Sequence, residues 1–142
     1  MTFESYVKSR LMDFCIEEAY ANGGVDPMLA VAQTLANRVK AGWQGGDWLR
    51  VIDSAPDYRG TVQPKEYTPI DPRDGNFREL MRRVDDIYHG TADDSNVNNE
   101  TGNSLYYAEL HNINREWFNT QILSDLESHP RLATVGQLTF FG

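Results

Sequence analysis

FCIEEAYANGGVDPMLAVAQTLANRV, residues 14–39, decides the fold. It holds the end of one apolar-faced segment, a glycine pair, and nearly all of a second segment. Counted from Val7 at about 100° per residue, Leu11, Phe14, Cys15 and Glu18 fall within roughly 100° of one another on one stripe of a helix. A first helix is therefore expected over residues 3–21, stopping at Asn22-Gly23-Gly24, a run that supplies the positive φ angles of a helix stop. Asp26-Pro27 opens a second: aspartate is a good N-cap and proline suits the first helical turn. Met28, Leu29, Ala32, Leu35, Ala36 and Val39 form its apolar face, and the pattern stops near Gly42.

The same phase separates two neighbouring glutamates. Glu17 falls about 280° round from Val7, near Arg10 and Asp13, and reads as a solvated surface charge. Glu18 falls on the buried stripe. A carboxylate among apolar neighbours loses hydration and should have a raised pKa, which suits a proton donor; alternatively it pairs with an arginine in the core.

Outward from this stretch, Trp43 to Asn76 is loop-like, interrupted by Gly45-Gly46, Pro56, Pro64, Pro69 and Pro72, apart from a short helical turn around Asp47 to Ile52. A connection of this length is usually functional or draped over the core. Phe77, Leu80, Met81, Val84, Ile87 and Tyr88 mark a third helix ending at Gly90, with Asp74 or Asn76 as its cap. In TADDSNVNNETGN, residues 91–103, Asp94, Asn96 and Asn98 have the alternate spacing of a calcium loop. The turn glycine of such a loop is Asn99 here and the closing glutamate is Leu105, so the run reads as a polar turn and no metal is expected. SLYYAEL (104–110) reads as a strand, REWFNTQIL (115–123) as a short helix and TVGQLTFF (134–141) as a closing strand. The expectation is one α+β domain, mainly helical with a small antiparallel strand pair.

At 142 residues the chain can bury a core without disulfides or metals, and its 40% hydrophobic and 24% charged composition is globular. Its single cysteine, Cys15, lies on the buried stripe and reads as a small core residue. A net charge of −8 with no cluster of Lys and Arg argues against nucleic acid as a partner. MTFESYVKSRLMDF has no uninterrupted apolar run and no small-residue cleavage site, and nothing in the chain approaches the length that spans a bilayer. Synthesis as a soluble cytosolic product without a signal peptide, and no membrane insertion, are expected.

Several segments in order, EEAYANGGVDPMLAVAQTLANRV, VIDS, GNSLYY, REWF and TVGQLTFF, resemble the SleB/CwlJ cell wall hydrolase family. Members carry a glutamate-alanine pair on a first helix, an AVAQ-like run leading into Asn-Arg-Val on a second, a strand with aromatics, and a terminal strand ending in a histidine-containing motif. The match covers most of residues 16–141, and its most specific piece is Gln33 to Val39. The resemblance implies a lysozyme-like fold and cleavage of the bond between N-acetylmuramic acid and N-acetylglucosamine in peptidoglycan, by hydrolysis or as a lytic transglycosylase. It aligns the family's catalytic glutamate with Glu18, the residue that helical phase also places on the buried face. It departs at Leu138, where the family usually has histidine; His111 and His129 are the nearby candidates to compensate.

A retaining glycosidase uses two carboxylates, whereas a transglycosylase needs one because the substrate supplies its own nucleophile. Asp53 and Asp57 are the candidate second carboxylates, with turn residues as their plain reading. For the sugar, Tyr106, Tyr107 and Trp117 are candidate stacking platforms, only one of the two tyrosines facing a cleft. Gln33 and Asn37 are candidates to bind acetamido groups, with bonding to nearby backbone as the alternative, and Arg38 reads as a structural ion-pair partner. The expected function is a peptidoglycan lytic transglycosylase or muramidase without cofactor, the product of a phage or prophage. Its expected partners are peptidoglycan glycan strands and, in a particle, virion proteins; it would meet the wall after release or inside a virion. The alternatives are a phage structural or adaptor protein that kept the fold and lost the activity, and a partner-binding module.

Overall fold

A computed structural model describes residues 2–61, 71–90 and 102–142. Part of the proline-rich connection, including Pro64 and Pro69, and residues 91–101 of the aspartate- and asparagine-rich run, with its calcium-like spacing, lie outside the described residues. The fold is α+β and mainly helical.

Helix α1, Phe3–Ala19, starts where the Thr2 hydroxyl accepts from the Ser5 amide at 3.1 Å. It ends sooner than periodicity alone indicates, because the chain tightens into a 3-10 turn over Tyr20–Asn22 before the glycine pair. Helix α2, Val25–Lys40, is buried on nearly every side: Pro27 through Ala36 is unbroken core, so Ala30 and Val31 are covered as fully as the expected apolar stripe. A helix with this pattern is enclosed by neighbours. Around α2 pack α1, α3 (Trp48–Ser54) and α4 (Gly75–His89). Asp47 caps α3, accepting from the Arg50 amide at 3.0 Å. Of the two candidate caps for α4 it is Asp74 that serves, accepting from the Asn76 amide at 2.7 Å.

Strands β1 (Tyr106–Ala108), β2 (Arg131–Val135) and β3 (Leu138–Phe141) form one antiparallel sheet in the order β1-β3-β2, with helix α5 (Arg115–Gln121) between β1 and β2 in the chain. TVGQLTFF is thus a hairpin rather than one continuous strand, and the expected strand pair is a three-stranded sheet. The break has a steric cause. Gly136 has φ +60°, and a Cβ there would meet the Asn22 carbonyl oxygen at 2.1 Å. The Gln137 amide donates to that same oxygen at 2.8 Å, so the hairpin turn is seated on the α1–α2 corner.

Strand β3 is buried along its whole length. Leu138 and Phe140 join Val135, Tyr107 and the helices in the main core, while Phe141 turns the other way onto Ala108 and Ile122 under α5. Burying such side chains stabilises by about 1.5–3 kcal/mol each. Among the described residues no helix is long and apolar enough to cross a membrane.

Candidate active site around Glu18

Glu18 stands in the last turn of α1, its side chain fully buried (0% exposed). Side chains from two other elements reach it. Arg59, just past the 3-10 turn that follows α3, brings Nε to 2.8 Å from Oε2, an ion-pair contact in which the N–H is not aimed along the line. The side chain of Tyr107, on β1, lies close enough to Glu18 for the two groups to interact electrostatically. Burial first, and then the negative charge of Glu18, hold that phenol well above the usual tyrosine range, so Tyr107 stays protonated. The backbone at the carboxylate is fixed as well, since Asn22 Nδ2 donates to the Glu18 carbonyl at 3.1 Å. Behind the carboxylate, burial and then Glu18 push the Cys15 thiol up, which leaves it an inert core group.

Arg59 also reaches Glu17, with Nη2 3.7 Å from Oε1. Glu17 is therefore partly covered, not simply solvated. Arg59 and Glu17 border a cavity of about 270 Å³ that Phe14, Ile52 and Asp53 help to line, and Glu18 is not among the lining residues. The arginine thus lies between that cavity and the carboxylate. The core-arginine partner considered for Glu18 is present, and it is Arg59 that contributes it.

The other candidate residues are placed as follows. Tyr107, at 4% exposure, is too enclosed to stack on a sugar in this arrangement, and its ring packs against Phe140 at 5.7 Å. Tyr106 points to the opposite side of β1, where it meets Trp43, Tyr58 and His129. Gln33 donates to Asn37 at 3.0 Å, and Asn37 donates to the carbonyls of Gly102 and Ser104, both at 2.8 Å. These two amides bolt α2 to the approach of β1, which is the backbone-bonding alternative. Trp117 lies against the bare backbone of Gly60, where a Cβ would come within 2.2 Å of the indole. Of the proposed sugar-binding residues, Tyr107 lies beside Glu18.

Asp53 is taken by Arg10 at 2.5 Å and Asp57 is exposed, so neither pairs with Glu18 as a second carboxylate. His111 pairs with Glu109 at 2.8 Å, and His129 bonds the Gly142 carbonyl at 2.9 Å. Leu138 is fully buried in the main core. Arg38 is not the carboxylate's partner: its Nε donates to the Leu105 carbonyl at 2.9 Å, and its guanidinium lies among aromatic rings. Among the described residues no cluster of His, Cys, Asp and Glu could hold a metal ion. Sequence reasoning missed Arg59 and Tyr58, which sit in a segment without periodicity.

The chain matches no protein-family model, and neither a curated protein nor a solved structure matches it at a significant level.

Proposed function

We propose that the chain cleaves the glycan of peptidoglycan at the N-acetylmuramic acid–N-acetylglucosamine bond, with Glu18 as its single catalytic carboxyl group. The observation that carries this reading is one buried carboxylate at the end of a core helix, paired with Arg59 and lying beside Tyr107, with no second carboxylate paired to it among the described residues. The ordered resemblance to SleB/CwlJ hydrolases, centred on Gln33 to Val39, supports it.

A one-carboxylate site favours the transglycosylase route. Beside Arg59 the carboxyl is held ionised, so the acid form requires the guanidinium to leave; Glu18, protonated then, gives its proton to the glycosidic oxygen, and the carboxylate takes the proton of the muramyl C6 hydroxyl as the 1,6-anhydro ring closes. Water in place of that hydroxyl gives hydrolysis. Tyr107, held as the neutral phenol, lies beside the carboxylate formed. For substrate to touch Glu18 the guanidinium of Arg59 must move aside, and the cavity on its other flank gives it room. The enzyme would act at the bacterial wall, after release or as part of a virion.

A second reading has its own observation. Complete burial of Glu18 under Arg59, with Leu138 where the family has histidine, suits a phage structural or adaptor protein that retains the fold as an inert scaffold. Incubating the purified protein with peptidoglycan and weighing the soluble muropeptides separates the two. The enzyme reading expects products lighter than hydrolytic ones by one water, and a loss of about 10²–10⁴-fold in Glu18→Gln. Glu17→Gln should keep activity. No release by wild type or by Leu138→His, each at equal folded concentration, would leave the scaffold.

A further inference from the structure

Arg38 is a second buried charge, and the chemistry of Glu18 does not use it. It is 2% exposed, and burial pulls its pKa below the usual arginine value. Its Nε is occupied by the Leu105 carbonyl, but among the described residues nothing accepts from Nη2 and no carboxylate forms an ion pair with it. What surrounds the guanidinium is aromatic: ring centroids of Trp43, Tyr58 and Tyr106 lie 4.8, 5.1 and 5.9 Å from its central carbon. The rings also meet one another, Trp43 with Tyr58 at 4.8 Å and with Tyr106 at 5.5 Å. All three are only partly buried, so each keeps a part toward solvent.

A buried cation is ordinarily matched by an anion, and a buried donor left open marks a missing water, ion or ligand. Three partly exposed rings around it are the surface on which a sugar stacks. One guanidinium matches one carboxylate, whereas a polyphosphate would bring several negative charges to a chain already at −8. We propose that Trp43, Tyr58 and Tyr106 over Arg38 form a binding site for an acidic sugar, the ring stacking on the aromatics and the carboxylate taking the open Nη2 donor. Reaching Nη2 requires one ring to turn aside, and Trp43 opens the short turn Trp43–Gly46, which joins α2 to α3.

The site adjoins Glu18 through two pairs of chain neighbours, Tyr58 with Arg59 and Tyr106 with Tyr107. That the bound sugar belongs to a glycan cleaved at Glu18 rests on the function proposed above; the binding itself does not.

The test is a titration of the wild-type protein, labelled with ¹⁵N, by N-acetylmuramic acid and by N-acetylglucosamine. These monosaccharides differ in one carboxylate-bearing arm and contain no bond to cleave. Each of the three tryptophans carries one indole N–H for the titration to follow. The expected result is a saturable shift at Trp43 with N-acetylmuramic acid and an affinity roughly tenfold or more lower for the neutral sugar. Arg38→Lys should remove most of that difference, and Tyr58→Leu, which leaves the Arg38–Leu105 bond intact, should weaken both sugars and serves if Arg38→Lys does not fold. Equal affinities, a response at Trp48 or Trp117 alone, or no response to either sugar overturns the site. A Trp43 response without muropeptide release keeps the site and removes the glycosidase reading; release without the response does the reverse.

Discussion

Arg59→Met should cost more stability than Glu18→Gln, although the two residues form one pair. The Glu18 side chain is 0% exposed and that of Arg59 17% exposed, with Nε and Oε2 separated by 2.8 Å. At an effective dielectric constant of about 20, unit charges at that distance attract by about 6 kcal/mol gross, most of which desolvation offsets. Arg59→Met keeps the stem and removes the charge, leaving a carboxylate in the core with the Tyr107 hydroxyl. Breaking a buried pair from that side costs about 3–5 kcal/mol. Glu18→Gln keeps volume and leaves the charge on the partly exposed partner, which retains Glu17 at 3.7 Å and water; about 1–2 kcal/mol is expected. The double variant should lie close to Glu18→Gln alone, since Arg59 then has no buried charge to neutralise, giving a coupling of about 3–5 kcal/mol, the whole cost of Arg59→Met. Urea unfolding followed by tryptophan fluorescence and far-ultraviolet dichroism, with coincident transitions and a common slope, reads all four proteins. Equal costs for the two single variants, or an additive double variant, would show that Glu18 does not depend on Arg59 for its charge.

Gly136→Ala should cost at least about 2 kcal/mol in the same unfolding experiment, because the residue sits at φ +60° and its Cβ would meet the Asn22 carbonyl; an unchanged midpoint would mean the hairpin turn is not seated on the α1–α2 corner. His89 is raised from 6.5, first by its hydrogen bond with the Asp85 carbonyl and further by Glu4 and Asp85, so its contribution is complete below the ordinary value and lost as pH rises through the raised one. Wild type should therefore lose its advantage over His89→Gln as pH rises from about 6.5 upward, and a parallel pH response of the two proteins would refute this. Tyr107 is held above the ordinary 10.0 by burial and by Glu18, so the unfolded chain gives up that proton first and folding weakens above about pH 10. Tyr107→Phe should weaken less over that range, as read from alkaline unfolding midpoints.

The helical part of the fold was legible because it is periodic. A single phase count placed Val7, Leu11, Phe14, Cys15 and Glu18 on one face, and all five are buried. The same count could not show that α2 is covered all round, because stripes report one neighbour and α2 has several. The hairpin was available and went unread: Gly-Gln between two apolar runs is a two-residue turn signal, overridden by the apolar length of the whole segment. Alternation put Tyr106 and Tyr107 on opposite faces but could not say which one met the carboxylate. Arg59 gave no signal, since it belongs to neither a helix nor a strand and its contact with Glu18 is made by tertiary folding. Gln33 and Asn37 were legible as polar groups at the edge of an apolar stripe, and their use in tying down Gly102 and Ser104 was not.

Leu138 stands where the SleB/CwlJ resemblance would place histidine, and the structure alters the weight of that difference. Position 138 faces the main core together with Phe140, whose ring packs on Tyr107, and it is fully closed to solvent. A histidine there would bring an imidazole into an apolar layer, at a cost of about 1–3 kcal/mol if it found no hydrogen-bond partner. Leucine is thus the residue this packing favours, and the charged partner of the carboxylate is Arg59, with Tyr107 beside it. Leucine where SleB/CwlJ hydrolases usually carry histidine is then no argument for an inert site by itself, because the neutral phenol of Tyr107 lies beside Glu18. What separates enzyme from scaffold is Arg59. An acid must meet its substrate, so a working Glu18 requires the guanidinium to leave it during the cycle, whereas a scaffold keeps the pair closed at all times.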